Sequence, residues 1–202
     1  IHLYGLNKFF YEIVDLYENR RMPNRILLSG KKGLGKSTLV YHVINYILSQ
    51  NEKSSYDKKN LIINKDNKSY KLVKNNSHPN FYLIDLFMDK KSIDIGQIRE
   101  MITYTNKSSF NNLPKFILID NIEYLNKNSI NALLKVVEEP NDNVFFFFIN
   151  NNEYNLLPTL SSRCIKFNIN LTFKEMINIC NFLNDGDLYH SINPDLISHY
   201  NT

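Results

Sequence analysis

The stretch that most constrains this chain is Arg25-Ile26-Leu27-Leu28-Ser29-Gly30-Lys31-Lys32-Gly33-Leu34-Gly35-Lys36-Ser37-Thr38. An apolar run enters a glycine-bearing loop that closes on Gly-Lys-Ser, and the spacing is that of a phosphate-binding loop: Gly, four residues, Gly-Lys-Ser/Thr. Ile26, Leu27 and Leu28 read as a buried strand, and Leu39, Val40, Val43, Ile44, Ile47 and Leu48 recur at helical spacing between Thr38 and Gln50. Gly30, Gly33 and Gly35 admit backbone conformations closed to other residues, so successive N–H groups can face phosphate oxygens. Lys36 would bring a point charge to the β- and γ-phosphates and Ser37 a hydroxyl to Mg²⁺. Thr38 sits where the new helix adds its N-terminal partial positive charge to the anion site. The plainer alternative is a glycine turn between strand and helix that holds no nucleotide.

Length and composition then narrow the class. A chain of 202 residues with 43% hydrophobic and 22% charged residues can bury a proper core, in one large domain or one plus a small appendage. No apolar run approaches the roughly 18 residues that span a bilayer, and the N-terminus lacks a signal-peptide pattern, so a soluble protein is expected. The first residue, Ile1, is not methionine, which fits a trimmed chain or a fragment. A net charge of +4 permits nucleic-acid contact without requiring it. Cys164 and Cys180 are the two cysteines. They cannot make a four-cysteine zinc site, and they point to a reduced cytoplasmic compartment.

Along the chain, Leu6, Phe9, Phe10, Ile13, Val14 and Tyr17 predict an amphipathic helix closed by Arg20, Arg21 and Pro23. His2 and the two arginines read as solvated. Residues 51–80 are polar and read as an insertion, in which Leu61-Ile62-Ile63 and Tyr70-Lys71-Leu72-Val73 could pair as a surface hairpin, with His78 as a turn residue before Pro79. Phe81-Tyr82-Leu83-Ile84 is a second core strand ending at Asp85, and a helix follows with Ile95, Ile98, Met101, Ile102 and Thr105 on one side. Lys115-Phe116-Ile117-Leu118-Ile119-Asp120 is an apolar strand ending in a carboxylate, the place from which phosphate-loop proteins hold Mg²⁺.

The next position carries an amide. ATPases of this class usually have Glu there to activate the attacking water, whereas this chain has Asn121, with Glu123 two residues on. An amide can position a water but cannot take its proton. Ser129 to Val137 read as a helix stopped by Pro140, and Val144 to Ile149 as a buried strand. The following Asn150-Asn151-Asn152 reads either as a turn or as a γ-phosphate contact. A last strand, Ile165-Lys166-Phe167, precedes a helix from Thr172 through Phe182.

The phosphate loop, the strand Ile117-Leu118-Ile119-Asp120, the run Asn131-Ala132-Leu133-Leu134-Lys135-Val136-Val137-Glu138-Glu139-Pro140 and the segment Leu156-Leu157-Pro158-Thr159-Leu160-Ser161-Ser162-Arg163-Cys164 together resemble the AAA+ subunits of DNA polymerase clamp loaders. Within them the chain is most similar to the delta-prime type of bacterial DNA polymerase III, whose members are generally poor or inactive ATPases acting as a rigid stator. The resemblance implies an α/β AAA+ P-loop NTPase core, a parallel sheet flanked by helices, over residues 1–168. It also implies the start of a helical lid over 169–202 and a C-terminal collar domain that this chain does not contain.

Several site assignments follow from the resemblance. Arg163, read alone as a surface charge, becomes an arginine finger acting on a neighbouring subunit's ATP. Asn150 or Asn151 becomes the γ-phosphate sensor, with Asn150 taken here. ATP and Mg²⁺ become the cofactors, held by Gly30, Gly33, Gly35, Lys36, Ser37 and Thr38, with Ser37 and Asp120 at the metal and no zinc. The implied partners are the gamma/tau and delta subunits, the sliding clamp and primer-template DNA, near which Gln97 and Arg99 would lie. Two features depart from the type: the four-cysteine zinc module is missing, and the phosphate loop is intact where some delta-prime subunits have lost it. Three readings follow: a regulatory stator within a nucleotidyltransferase holoenzyme, a gamma/tau-type motor using Lys36, Ser37, Asp120 and Glu123, and a free-standing phosphate-loop kinase or switch.

Overall fold

The computed structural model describes residues 1–183 apart from positions 88, 89, 140 and 142. The helix stop at Pro140 and the lid beyond residue 183 lie outside the described residues. The chain divides into a unit Ile1–Asn170 and a unit Leu171–Thr202.

Within the first unit, helix α1 (Asn7–Glu18) precedes strand β1 (Arg25–Ser29), which runs through the glycine loop into α2 (Lys36–Leu48). A short helix α3 (Lys68–Lys74) leads to β2 (Phe81–Ile84), α4 (Ile95–Thr105), β3 (Lys115–Ile119), α5 (Lys127–Glu138), β4 (Val144–Asn150), the single turn α6 (Pro158–Ser161) and β5 (Ile165–Asn168). The five strands form one parallel sheet in the order β2-β3-β4-β1-β5. Parallel sheets are covered on both faces, which is why their strands read as continuous apolar runs rather than alternating ones. Every residue of β3 is buried, and Phe146, Phe147 and Phe148 of β4 are at most 1% exposed.

Side chains alternate across the sheet. Ile117, Ile119, Phe146 and Phe148 therefore share one face, where they meet Ile98 and Met101 of α4 and Ile130, Leu133 and Val137 of α5. Helix α2 packs against β4, and α1 packs against α2 through its buried Phe10, Ile13 and Val14 face. The order places β1 between β4 and β5, so the chain leaves β1 at a point where successive strands go to opposite sides. Ligand crevices in open α/β sheets form at such switch points, beyond the carboxyl ends of the strands. Register aligns Ser29 with Asn150 and Ile119 with Phe148, so the segments after β1, β3 and β4 emerge along one edge.

The expected hairpin in the insertion does not form. Residues 68–74 are helical, capped by Asn67, whose side-chain oxygen accepts from the Tyr70 N–H. The helix ends with Asn76 at φ 50° while Ser77 N–H bonds back to Leu72 O and Asn76 N–H to Val73 O, the Schellman arrangement of a helix end. Leu61 to Ile63 pair instead with the N-terminal segment, through Leu3 N–H to Leu61 O and Ile63 N–H to Ile1 O. His78 is buried rather than a solvated turn residue, its Nδ1 accepting from Asn80 N–H and its Nε2 lying 3.4 Å from Ser69 Oγ. Helix α7 (Phe173–Leu183) of the second unit starts at a capping box in which Thr172 and Glu175 satisfy each other's backbone N–H groups.

One buried titratable group in the first unit makes stability depend on pH. His42 is 0% exposed, and burial pulls its imidazole down to about 4. The unfolded chain takes up that proton near pH 6.5 and the folded chain does not, so stability falls as pH drops from about 6.5 towards 4. The expected loss by pH 5 is about 2 kcal/mol. Urea denaturation at pH 7 and pH 5 measures it. The double change His42→Phe with Tyr56→Phe removes both hydrogen-bond partners and should flatten the slope; an equally steep slope in that variant would assign the effect to other groups.

Candidate functional site

The glycine loop is held open by two different constraints. Gly33 and Gly35 lie at φ +86° and +78°, backbone that costs an L-residue about 1–2 kcal/mol. Gly30 is needed for a different reason: a Cβ built there would lie 2.3 Å from the carbonyl oxygen of Ile169, just past β5. Gly30→Ala is therefore expected to lower stability by about 2–3 kcal/mol or more, since one backbone must move away from the other. At Gly33 a Cβ meets nothing within 4 Å, so Gly33→Ala should cost only the conformational part, about 1 kcal/mol. Chemical denaturation of the two variants side by side tests the contrast; equal losses would refute it.

Lys36 occupies the first turn of α2 and is 3% exposed. Its Nζ donates to Gly30 O at 2.8 Å and Lys31 O at 2.6 Å, curling the loop around the ammonium. An ammonium has three N–H donors, so one remains for an anion. Burial pulls the lysine below its ordinary range, opposed by the negative charges of Asp120 and Glu123. A phosphate in the loop would add to that opposition.

Ser37 Oγ donates to Asp120 Oδ2 at 2.5 Å, joining the start of α2 to the end of β3. Burial pushes the Asp120 carboxyl above the usual carboxylate range, with the neighbouring Asp85 adding to the shift and the Ser37 hydroxyl opposing it. A divalent cation at the Ser37–Asp120 pair would reverse this by stabilising the anion, so the hard oxygen donors there suit Mg²⁺. Thr38 follows on the same turn of α2.

The sequence reading did not anticipate the polar chain beside this pair. Asn121 stands at φ 57°, a left-handed conformation asparagine tolerates. Its Nδ2 donates to Asp85 Oδ1 at 2.7 Å and its Oδ1 accepts from Asn151 Nδ2 at 2.7 Å. The amide thus ties the ends of β2 and β4 across the end of β3. Asn151 N–H donates to Glu123 Oε1 at 2.9 Å, and Glu123 Oε2 is buried without a protein partner among the described residues. Asn150 is buried at the root of the loop, its Nδ2 donating to Asn152 Oδ1 at 3.0 Å and reaching Ser29 Oγ at 3.4 Å. Over the loop, Lys32 pairs with Glu153 at 3.0 Å, and the Tyr124 hydroxyl donates to the same carboxylate. Asp85, Asn152, Glu153 and Tyr124 were legible only as neighbours of strand ends.

Arg163 lies apart from this cluster, on the exposed turn after α6. Its Nη1 donates to Thr159 O at 2.7 Å and its Nη2 pairs with Glu138 Oε1 at 2.8 Å, both side chains well exposed. Such surface pairs contribute about 0–1 kcal/mol, so the guanidinium is held but easily released. The neighbouring Cys164 thiol is pushed up to about 11 by burial, which leaves it unreactive. Gln97 completes the N-terminal cap of α4 with Asp94 and donates to Asp85 O, so both ends of its amide serve the fold. Arg99 is exposed.

A profile described as DNA polymerase III, delta subunit, matches residues 5–172. The chain is 30% identical over 175 residues to the DNA polymerase III subunit delta' of Buchnera aphidicola subsp. Schizaphis graminum, covering 86% of this chain and 51% of that one. It is also 30% identical over 158 residues to the gamma subunit from the same organism, covering 78% of this chain and 40% of that one. Among solved structures, a gamma subunit-related protein of DNA polymerase III from Thermotoga maritima superposes with a TM-score of 0.58 at 17% identity, covering 90% of this chain and 51% of the other. The chain spans about half the length of the delta' relative it matches.

Proposed function

Since the chain belongs to the DNA polymerase III delta subunit family, we propose that it acts as the delta-prime-type stator of a clamp loader. In this reading it binds ATP and Mg²⁺ without hydrolysing them efficiently and presents Arg163 to the ATP of a neighbouring subunit. The observation that carries the proposal is the state of Asn121. The side chain next to Asp120 cannot accept a proton, and both ends of its amide are already hydrogen-bonded, to Asp85 and to Asn151. The loop before it retains each element needed to hold a triphosphate.

In this reading the loop N–H groups and Lys36 hold the phosphates, and Thr38 stands beside them at the helix start. Ser37 and Asp120 hold Mg²⁺, which when bound would neutralise phosphate charge. Asn150 stands closest to the loop root as the sensor, and Asn151 carries the neighbouring strand-end link. The partners are gamma/tau and delta subunits, the sliding clamp and, through the assembly, primer-template DNA, with Arg99 the exposed cation of the α4 segment. The setting is cytoplasmic; no helix among the described residues is long and apolar enough to cross a membrane. The residue range 1–168 is the nucleotide-binding domain, and α7 opens the lid.

Reconstitution tests this. The full-length protein is mixed with gamma/tau, delta, the sliding clamp and primed DNA, and clamp loading is followed by fluorescence. Loading should require this subunit; loading at the same rate without it would overturn the assignment. If it alone replaces gamma/tau in that mixture, the motor reading is correct instead.

A further inference from the structure

A second cavity, separate from the phosphate loop, lies between α2 and α3. It encloses about 340 Å³ and is lined mainly by Tyr41, Ile63, Tyr70 and Val73, with His42 and Asn45 contributing polar atoms. His42 and Asn45 are 0% and 3% exposed, yet His42 Nε2 and Asn45 Oδ1 have no hydrogen-bond partner in the protein. Buried polar atoms are nearly always satisfied, so two orphans on one cavity wall point to an occupant.

The surrounding hydrogen bonds fix what each orphan offers. Asn67 Oδ1 accepts the Tyr70 N–H as helix cap, and Asn67 Nδ2 donates to Ser54 O. Asn45 must therefore give its Nδ2 to Asn67 Oδ1, at 3.0 Å, leaving its own oxygen as a free acceptor. His42 Nδ1 lies 2.8 Å from the Tyr56 hydroxyl. That buried phenol keeps its proton, because burial pushes it well above its ordinary range, and donates it to Nδ1. The imidazole is neutral at pH 7, so its own proton sits on Nε2 as a free donor. The two residues are three apart on α2 and thus neighbours on one helix face.

We propose that this cavity binds a small, flat, uncharged lactam, a ring carrying N–H beside C=O as many nucleobases do. The His42 Nε2–H donates to the lactam oxygen, the Asn45 oxygen accepts the lactam N–H, and the ring lies against Tyr41, Tyr70, Ile63 and Val73. The size and the mostly apolar wall with a few convergent polar groups match small-molecule sites in general. The site does not depend on the clamp-loader reading. Thr38 reaches its rim, one residue from Ser37, so an occupant would abut the helix that holds the phosphates.

The test uses the full-length natural protein, ¹⁵N-labelled, titrated with 2-pyridone and with uracil. The expected result is binding with Kd on the order of 1 mM or tighter, with shifts centred on the His42 imidazole and the Asn45 side-chain amide. N-methyl-2-pyridone, which lacks the N–H, should bind at least about 10-fold more weakly. The variant pair His42→Phe with Tyr56→Phe keeps the packing and should show the same loss for 2-pyridone. Absence of these shifts at about 10 mM lactam, equal binding of the N-methylated ring, or two ordered waters satisfying the orphan atoms in a lactam-soaked crystal would each overturn the proposal.

Discussion

Replacing Arg163 with alanine is expected to slow ATP hydrolysis by the assembled clamp loader about 10³-fold or more while leaving this subunit folded and able to bind its own nucleotide. The size follows from what a guanidinium contributes when it meets charge developing on a transferring phosphoryl group in a neighbouring site. The sparing of the fold follows from local contacts. Arg163 is exposed, its ion pair is with the exposed Glu138, and its one further bond goes to Thr159 O in the preceding turn. Losing such contacts costs about 1 kcal/mol or less. Steady-state hydrolysis by the reconstituted complex, with thermal denaturation of the isolated variant, reads both halves. Unchanged hydrolysis would remove Arg163 from the neighbour's site; a collapsed variant would make it a structural residue.

The second large effect is expected at Lys36. In Lys36→Met the stem keeps its length, but the ammonium that sits inside the loop is gone. Nucleotide affinity should fall about 100-fold, or roughly 2.7 kcal/mol, the scale of charge-assisted hydrogen bonds to a phosphate. Stability should fall less, because the loop carbonyls of Gly30 and Lys31 lose a donor but a costly buried charge leaves with it. Titration of a fluorescent ATP analogue measures the affinity. Retention of wild-type affinity would mean that the loop does not hold phosphate.

Much of the fold could be read from the chain because its strands are buried on both faces. Ile26 to Leu28, Phe116 to Ile119 and Phe146 to Ile149 announce themselves as apolar runs, and the carboxylate after Ile119 falls where strand, loop and register bring it to Ser37. The insertion was harder. Tyr70 to Val73 are too short for periodicity to separate strand from helix, and the deciding element was the Asn67 cap, a single side-chain bond. Gly30 looked like its neighbours, but it is required by the approach of Ile169, a contact across 139 positions of sequence that no local pattern encodes.

The same limit governs the site. Asn121 was legible as a missing base, but its ties to Asp85 and Asn151 depend on three strand ends lying side by side, which only the sheet order β2-β3-β4 supplies. The orphan atoms of His42 and Asn45 likewise arise from long-range partners, Tyr56 and Asn67.

The most direct test of the central claim is single-turnover hydrolysis of radiolabelled ATP by the isolated full-length protein, with enzyme in excess and binding confirmed in the same tube. The account predicts that bound ATP is recovered intact over a time in which a motor subunit would turn over many times. Release of phosphate at about 1 s⁻¹ or faster, the scale of ordinary enzymes, would contradict it.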